Sequence, residues 1–137
     1  DRAVATLYIN EHGGLLTVNY QGELFFSRRF ETSLKDIASS DSSVRDASHE
    51  RIVLELQRSL DHFARQFRSI PIGRLLLAPE PAESGLLDAL AGGLGIKVQG
   101  IDLNDVLAVA GGPMASRLQW RLFHLLGASF RHEVRTL

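Results

Sequence analysis

The stretch from Pro71 to Leu90 limits the possible folds more than any other part of this chain. Pro71 ends a helical pattern, and an apolar strand then runs from Ile72 to Ala78, closing on Leu75-Leu76-Leu77-Ala78. Pro79-Glu80-Pro81 leads directly into a short predicted helix over Pro81 to Leu90, with Gly92-Gly93 marking its exit. A strand entered from one helix and left through another is a buried member of a parallel sheet, joined by crossover connections. In nucleotide-binding folds this junction offers free backbone N–H groups and the positive end of a helix dipole to a phosphate. Here two prolines remove two donors, and Glu80 and Glu83 put negative charge where the phosphate would sit.

The rest of the chain builds around that strand. Ala3 to Asn10 reads as a central strand with apolar residues on both faces, and Glu11-His12-Gly13-Gly14 supplies the turn after it. Leu15 to Tyr20 alternates, Gln21-Gly22 suits a two-residue hairpin turn, and Glu23 to Phe30 returns as a third strand. Glu31 to Ala47 is rich in Ser and Asp and is expected to be loop-like and mobile, with a helical turn at Leu34-Lys35-Asp36-Ile37. Ile52, Leu56, Leu60, Phe63 and Phe67 repeat at helical spacing between Ser48 and Arg68. A fifth strand is expected over Ile96 to Ile101, and a short helix over Asn104 to Ala110. Gly111-Gly112-Pro113 breaks that helix. A last helix follows over Met114 to Phe130, with Leu118, Leu122, Leu125 and Leu126 opposite Arg117, Arg121 and His124.

The order β-β-β-α-β-α-β-α, with right-handed crossovers, predicts a five-stranded mixed sheet in the order 3-2-1-4-5 with helices on both faces. That is the ribonuclease H-like plan shared by actin-type ATPases and many nucleases. At 137 residues, 45% hydrophobic and 23% charged, the chain is one ordinary domain able to bury its own core. A net charge of −1 names no nucleic-acid partner, the absence of cysteine excludes disulfides and thiolate metal sites, and no apolar run approaches the roughly 20 residues that span a bilayer. The chain begins without methionine and almost on a strand, so it is expected to be a piece of a longer protein.

The chemistries this plan supports need residues that are not in place. A two-metal nuclease needs an Asp on the first strand, but Ala5-Thr6-Leu7-Tyr8-Ile9-Asn10 holds no acid, and Glu55 and Asp61 fall on the solvated side of their helix. His12, His49, His62, His124 and His132 show no metal-ligand spacing and read as surface histidines. Ser84 lies in a helix start without the elbow of a hydrolase nucleophile. Gly13-Gly14 precedes a strand where dinucleotide and P-loop sites need a helix. No catalytic, metal or cofactor residues are therefore assigned. Two surfaces remain as candidate partner sites. Arg28-Arg29 on the edge strand either block edge pairing or engage an acidic partner. Arg117, Arg121 and His124, with Trp120 beside them, form a basic face that is either solvated or turned to an anionic membrane or acidic protein.

Four stretches carry a family likeness. They are Leu7 to Val18 with Gly22 to Phe30, Leu54 to Phe63, the Leu75 to Leu87 step, and Leu126-Gly127-Ala128-Ser129-Phe130-Arg131. Together they resemble the second half of the actin-like proteins of type IV pilus and type II secretion assembly, the PilM and GspL relatives, and above all their MSHA pilus (MshI-type) branch. The resemblance implies a phosphate loop around Tyr8, Asn10, Gly13 and Gly14 and an adenosine loop at Ala78 and Pro79. Both depart from the family pattern: Tyr8-Ile9-Asn10 stands where active members have Asp-x-Gly, and Ala78-Pro79 where they have a Gly-Gly pair. The insertion that builds an extra subdomain in relatives is reduced to Glu31 to Ala47. The resemblance thus implies a non-catalytic scaffold without cofactor, cytoplasmic and peripheral to the bacterial inner membrane. Its partners would be proteins of a pilus or secretion assembly, among them a bitopic membrane protein. The alternatives are one half of an ATP-binding protein and a metal-dependent nuclease.

Overall fold

A computed structural model describes residues 1–81, 84–108 and 110–129, with side chains described as far as Leu126. Three strands open the chain: β1 (Ala3–Asn10), β2 (Gly13–Tyr20) and β3 (Glu23–Phe30). They form an antiparallel meander. The turn between β2 and β3 puts Gln21 at φ 52° and Gly22 at φ 84°, the pair of left-handed residues that a tight hairpin matching strand twist requires. Two helices follow, α1 (Leu34–Ile37) and α2 (Ser42–Gln66), then β4 (Ile72–Leu77), α3 (Leu86–Gly93), β5 (Lys97–Gly100), a 3-10 turn at Leu103–Asp105, and α4 (Ser116–Ser129). The sheet order is β3-β2-β1-β4-β5, with β4 parallel to β1 and β5 parallel to β4. This is the order the sequence predicts.

The core lies on one face of that sheet. Ala3, Ala5, Leu7 and Ile9 of β1 alternate inward beside Leu16 and Val18 of β2 and Leu75 and Leu77 of β4, and all are buried. Ile52, Leu56 and Phe63 of α2 close over them with Leu86 and Leu90 of α3 and with Leu34 and Ile37 of α1. Phe63 sits in a ring cluster, 4.9 Å from Phe67 and 6.2 Å from Phe26. The opposite sheet face carries Tyr8, against which α4 packs through Phe123.

Several boundaries differ from the sequence reading. The Ser-rich stretch is mostly helical, because Asp41 caps α2 by accepting from the Ser43 backbone N–H at 2.9 Å and from its hydroxyl at 2.7 Å. Burial in β4 is confined to Leu75 and Leu77, since Arg74 is exposed. The helix expected from Pro81 begins instead at Leu86, after a turn at Ser84 and a left-handed Gly85 at φ 70°. It also runs through Gly92-Gly93. Gly93 is there for packing, as a Cβ on it would lie 2.6 Å from Val53 of α2. The helix expected over Asn104 to Ala110 shrinks to the 3-10 turn, whose start Asp102 caps. Phe130 and the residues after it, including Arg131, His132 and Arg135, lie outside the described residues, as do Glu83 and Val109.

Candidate functional site

The first half of the candidate site is the turn from β1 to β2. Asn10 Oδ1 accepts from the His12 backbone N–H at 2.8 Å, which fixes the turn. Gly13 follows at φ 135°. A Cβ on Gly13 would lie 2.8 Å from the Phe30 carbonyl oxygen, and one on Gly14 would lie 2.4 Å from the Phe30 ring. The glycine pair is therefore required by the close seat of β3 on β2. Tyr8 occupies the end of β1 on the α4 side. Its ring stacks on Phe123 with centroids 5.5 Å apart, and its hydroxyl is 3.4 Å from His124 Nδ1. A cleft of about 420 Å³ opens beside this pair, lined by Tyr8, Asn10, His12, Trp120, Arg121 and His124 among others.

The second half is the step from β4 to α3. Ala78 is buried and continues the sheet, its N–H donating to the Leu7 carbonyl at 2.8 Å. Beyond Pro79, the Glu80 carboxylate turns back toward the start of α3, where it accepts from the Ser84 hydroxyl. Ser84 Oγ in turn accepts from the Leu86 N–H at 3.1 Å. Burial pushes the Glu80 carboxyl up from its ordinary pKa, and hydrogen bonding, from Ser84 above all, opposes that shift. The start of α3, whose donors would make it attractive to an anion, is thus occupied by the chain's own Glu80 and Ser84.

No protein-family model and no curated protein matches this sequence. Among solved structures, the chain is similar to the PilM-PilN type IV pilus biogenesis complex, with 19% identity and a TM-score of 0.67 over 89% of this chain and 42% of that one. The chain has the actin-like ATPase fold. It is also similar to the ethanolamine utilization protein EutJ from Carboxydothermus hydrogenoformans, at 11% identity and TM-score 0.52 over 72% of this chain and 44% of that one. A third likeness is to the Aquifex aeolicus Ppx/GppA phosphatase, at 14% identity and TM-score 0.51 over 74% of this chain and 36% of that one. The chain spans less than half the length of each of these proteins.

Magnesium-ATP is the group that the actin-like fold implies, and the residues at the two loops to which the family resemblance points do not fit it. A phenol clamped by Phe123 and His124 stands at the end of β1, where a carboxylate would order a metal-bound water. At the adenosine loop, Pro79 lacks an N–H, and Glu80 already binds Ser84 before the α3 start. No group of acids or histidines suited to a metal ion occurs among the described residues.

The other sequence-predicted residues fall in separate places. Arg28 points from β3 to α2 and meets Glu55 at 3.0 Å, while Arg29 is exposed. Glu55 is therefore not on a free solvated face, since Arg58 also approaches it at 3.7 Å. His49 is not a surface histidine: it is buried, with Nε2 3.2 Å from the Ile37 carbonyl, and it ties α2 to α1. Ser84 is buried and structural. On α4, Leu118 and Leu125 are exposed, while Leu122 and Leu126 are half-buried. Among the described residues of that helix Gln119 is buried and Trp120 is half-buried.

Sequence reasoning missed the polar latch that Gln119 makes. Its Oε1 accepts from the Leu103 N–H at 2.7 Å, and its Nε2 donates to Asp102 Oδ1 at 2.8 Å and to the Met114 carbonyl at 3.1 Å. Asn104 completes the latch, exchanging two hydrogen bonds with the Met114 backbone. Donation from the Asn104 N–H, and then from Gln119, holds the Asp102 carboxyl below the ordinary carboxylate range. The Asp102-Leu103-Asn104 spacing was the available signal, since an Asp two residues before an Asn is a turn-capping pattern.

Proposed function

We propose that this domain is a non-catalytic scaffold that works by binding other proteins in a type IV pilus assembly of the PilM kind. The observation that carries the proposal is the Glu80 carboxylate held by the Ser84 hydroxyl, whose oxygen in turn accepts from the Leu86 N–H at the start of α3, because the chain's own side chains then occupy the position that nucleotide chemistry needs open. The likeness to PilM supports the setting, as that neighbour is described in complex with PilN. An MSHA-type pilus is the setting favoured by the motifs from Leu7 to Val18 and from Leu54 to Phe63, with a type II secretion system as its nearest equivalent. The domain would sit at the cytoplasmic side of the inner membrane, held by a bitopic protein partner. No described helix is long and apolar enough to cross a membrane.

The open cleft beside Tyr8 favours a second reading, in which the domain is one half of an ATP-binding protein. Isothermal titration with magnesium-ATP separates the two. The scaffold reading expects no saturable heat from the parent chain. Saturable binding in the micromolar range overturns it.

A further inference from the structure

The exposed face of α4 combines an apolar seam with a one-sided basic rim. Leu118 and Leu125 are 47% and 57% exposed, and Leu122 between them is half-buried. The three follow the i, i+4, i+7 spacing by which one helix packs along another, and the seam is about 10 Å long at the rise of an α-helix. Arg117 and Arg121 are exposed along one side of it, without an ion pair among the described residues. The other side of the helix turns back to the domain through Gln119, which is buried. From Ser116 to Ser129 there is no Asp or Glu, although the chain as a whole has a net charge of −1. The positive charge of this helix is therefore local: among the described residues no ion pair reaches Arg117 or Arg121, and Glu11 is the acid that lines the cleft beside Arg121.

We infer that this face docks an amphipathic helix of another protein, one whose leucine-like seam meets Leu118, Leu122 and Leu125 while acidic residues on one flank meet Arg117 and Arg121. The charge pattern selects this occupant. A second copy of the chain paired antiparallel about Leu122 brings the two Arg121 side chains toward each other, which is unfavourable. A bilayer surface is served by basic residues on both flanks of an apolar stripe, whereas here only one flank is basic and the other is protein. A heptad partner with acids on one flank matches both the seam and the rim.

The inference rests on the protein-binding reading above and names the chemistry of one partner. It is tested on the full chain with two labelled synthetic helical peptides of about three heptads, leucine at both seam positions, flanked in one by Glu and in the other by Lys. The Glu-flanked peptide is expected to bind at least about tenfold more tightly at low ionic strength, with the gap closing as salt is added. Reversing Arg117→Glu and Arg121→Glu together should invert the preference, and Leu125→Asp should abolish binding of both peptides. Leu125 is exposed, so that variant is expected to keep its circular dichroism. Equal binding of the two peptides, or of neither, overturns the inference. So does uptake by phosphatidylglycerol vesicles in place of peptide, or a dimer in sedimentation that Leu125→Asp dissolves. None of those results touches the protein-binding reading, which the nucleotide titration tests separately.

Discussion

Gly13 stands so close to Phe30 that a β-carbon built on it would lie 2.8 Å from the Phe30 carbonyl oxygen, and its φ of 135° is one that side-chain-bearing residues rarely adopt. Both penalties fall on any replacement, because backbone of the neighbouring strand cannot swing aside as a side chain can. Gly13→Ala is expected to lose about 1–3 kcal/mol. Urea unfolding followed by circular dichroism gives the number, and an unchanged midpoint would refute this account of the turn.

Phe63 is fully buried and touches the rings of Phe26 and Phe67. Phe63→Ala removes those contacts and leaves a cavity that the ends of β3 and α2 cannot both close. A loss of about 3–5 kcal/mol is expected. That is a large share of the roughly 5–15 kcal/mol that holds a domain folded, so the variant should show a sharply lowered thermal midpoint.

Glu80 has its folded pKa raised by burial, so the folded chain binds more protons than the unfolded chain between the ordinary and the raised value. Its contribution to stability therefore falls as pH rises through that window, and it is least favourable at neutral pH. Glu80→Gln keeps an acceptor for Ser84 and removes the titration. The variant's stability relative to the parent should be greatest at neutral pH, should decline as pH falls from the raised to the ordinary glutamate value, and should level off below it. Parallel denaturation curves from pH 3 to 7, on the order of one pH unit apart, read this difference directly. A difference that grows toward acid would show the sign to be wrong.

Gln119→Leu keeps the bulk of the side chain and deletes three hydrogen bonds, leaving the Leu103 N–H buried without its acceptor. A loss of about 1–3 kcal/mol is expected. The Asp102 carboxyl should titrate closer to the ordinary range in this variant. It should still stay below that range, because the larger cause, the Asn104 N–H, survives. Carboxyl-carbon NMR titration distinguishes the two contributions.

The sheet was legible because its signals are local and strong. Alternation in β1 and β2, the Gln21-Gly22 turn and the Leu75-Leu76-Leu77 run each fix an element without help from distant residues. Glu80 was legible as a negative charge at an anion position, and the structure adds its partner, Ser84, which links it to the Leu86 N–H. What failed depends on contacts across the chain. The start of α2 hinged on Asp41 acting as a cap instead of a loop residue, and Gly93 was read as a stop when its role is to admit Val53. The seating of α4 depends on such contacts too: hydrogen bonds from Gln119 to Leu103, Asp102 and Met114, the Phe123 ring on Tyr8 and Trp120 against the core set which side of the helix faces the domain.

That orientation also sets how the domain breathes. Helix α4 is fastened by the Gln119 hydrogen bonds, the Phe123 stack on Tyr8 and Trp120 against the core, while α2 carries Ile52, Leu56 and Phe63 in the core itself. The amides of α4 should therefore exchange deuterium ahead of those in α2. The helix that offers the docking face is thus held less deeply than the one that closes the core.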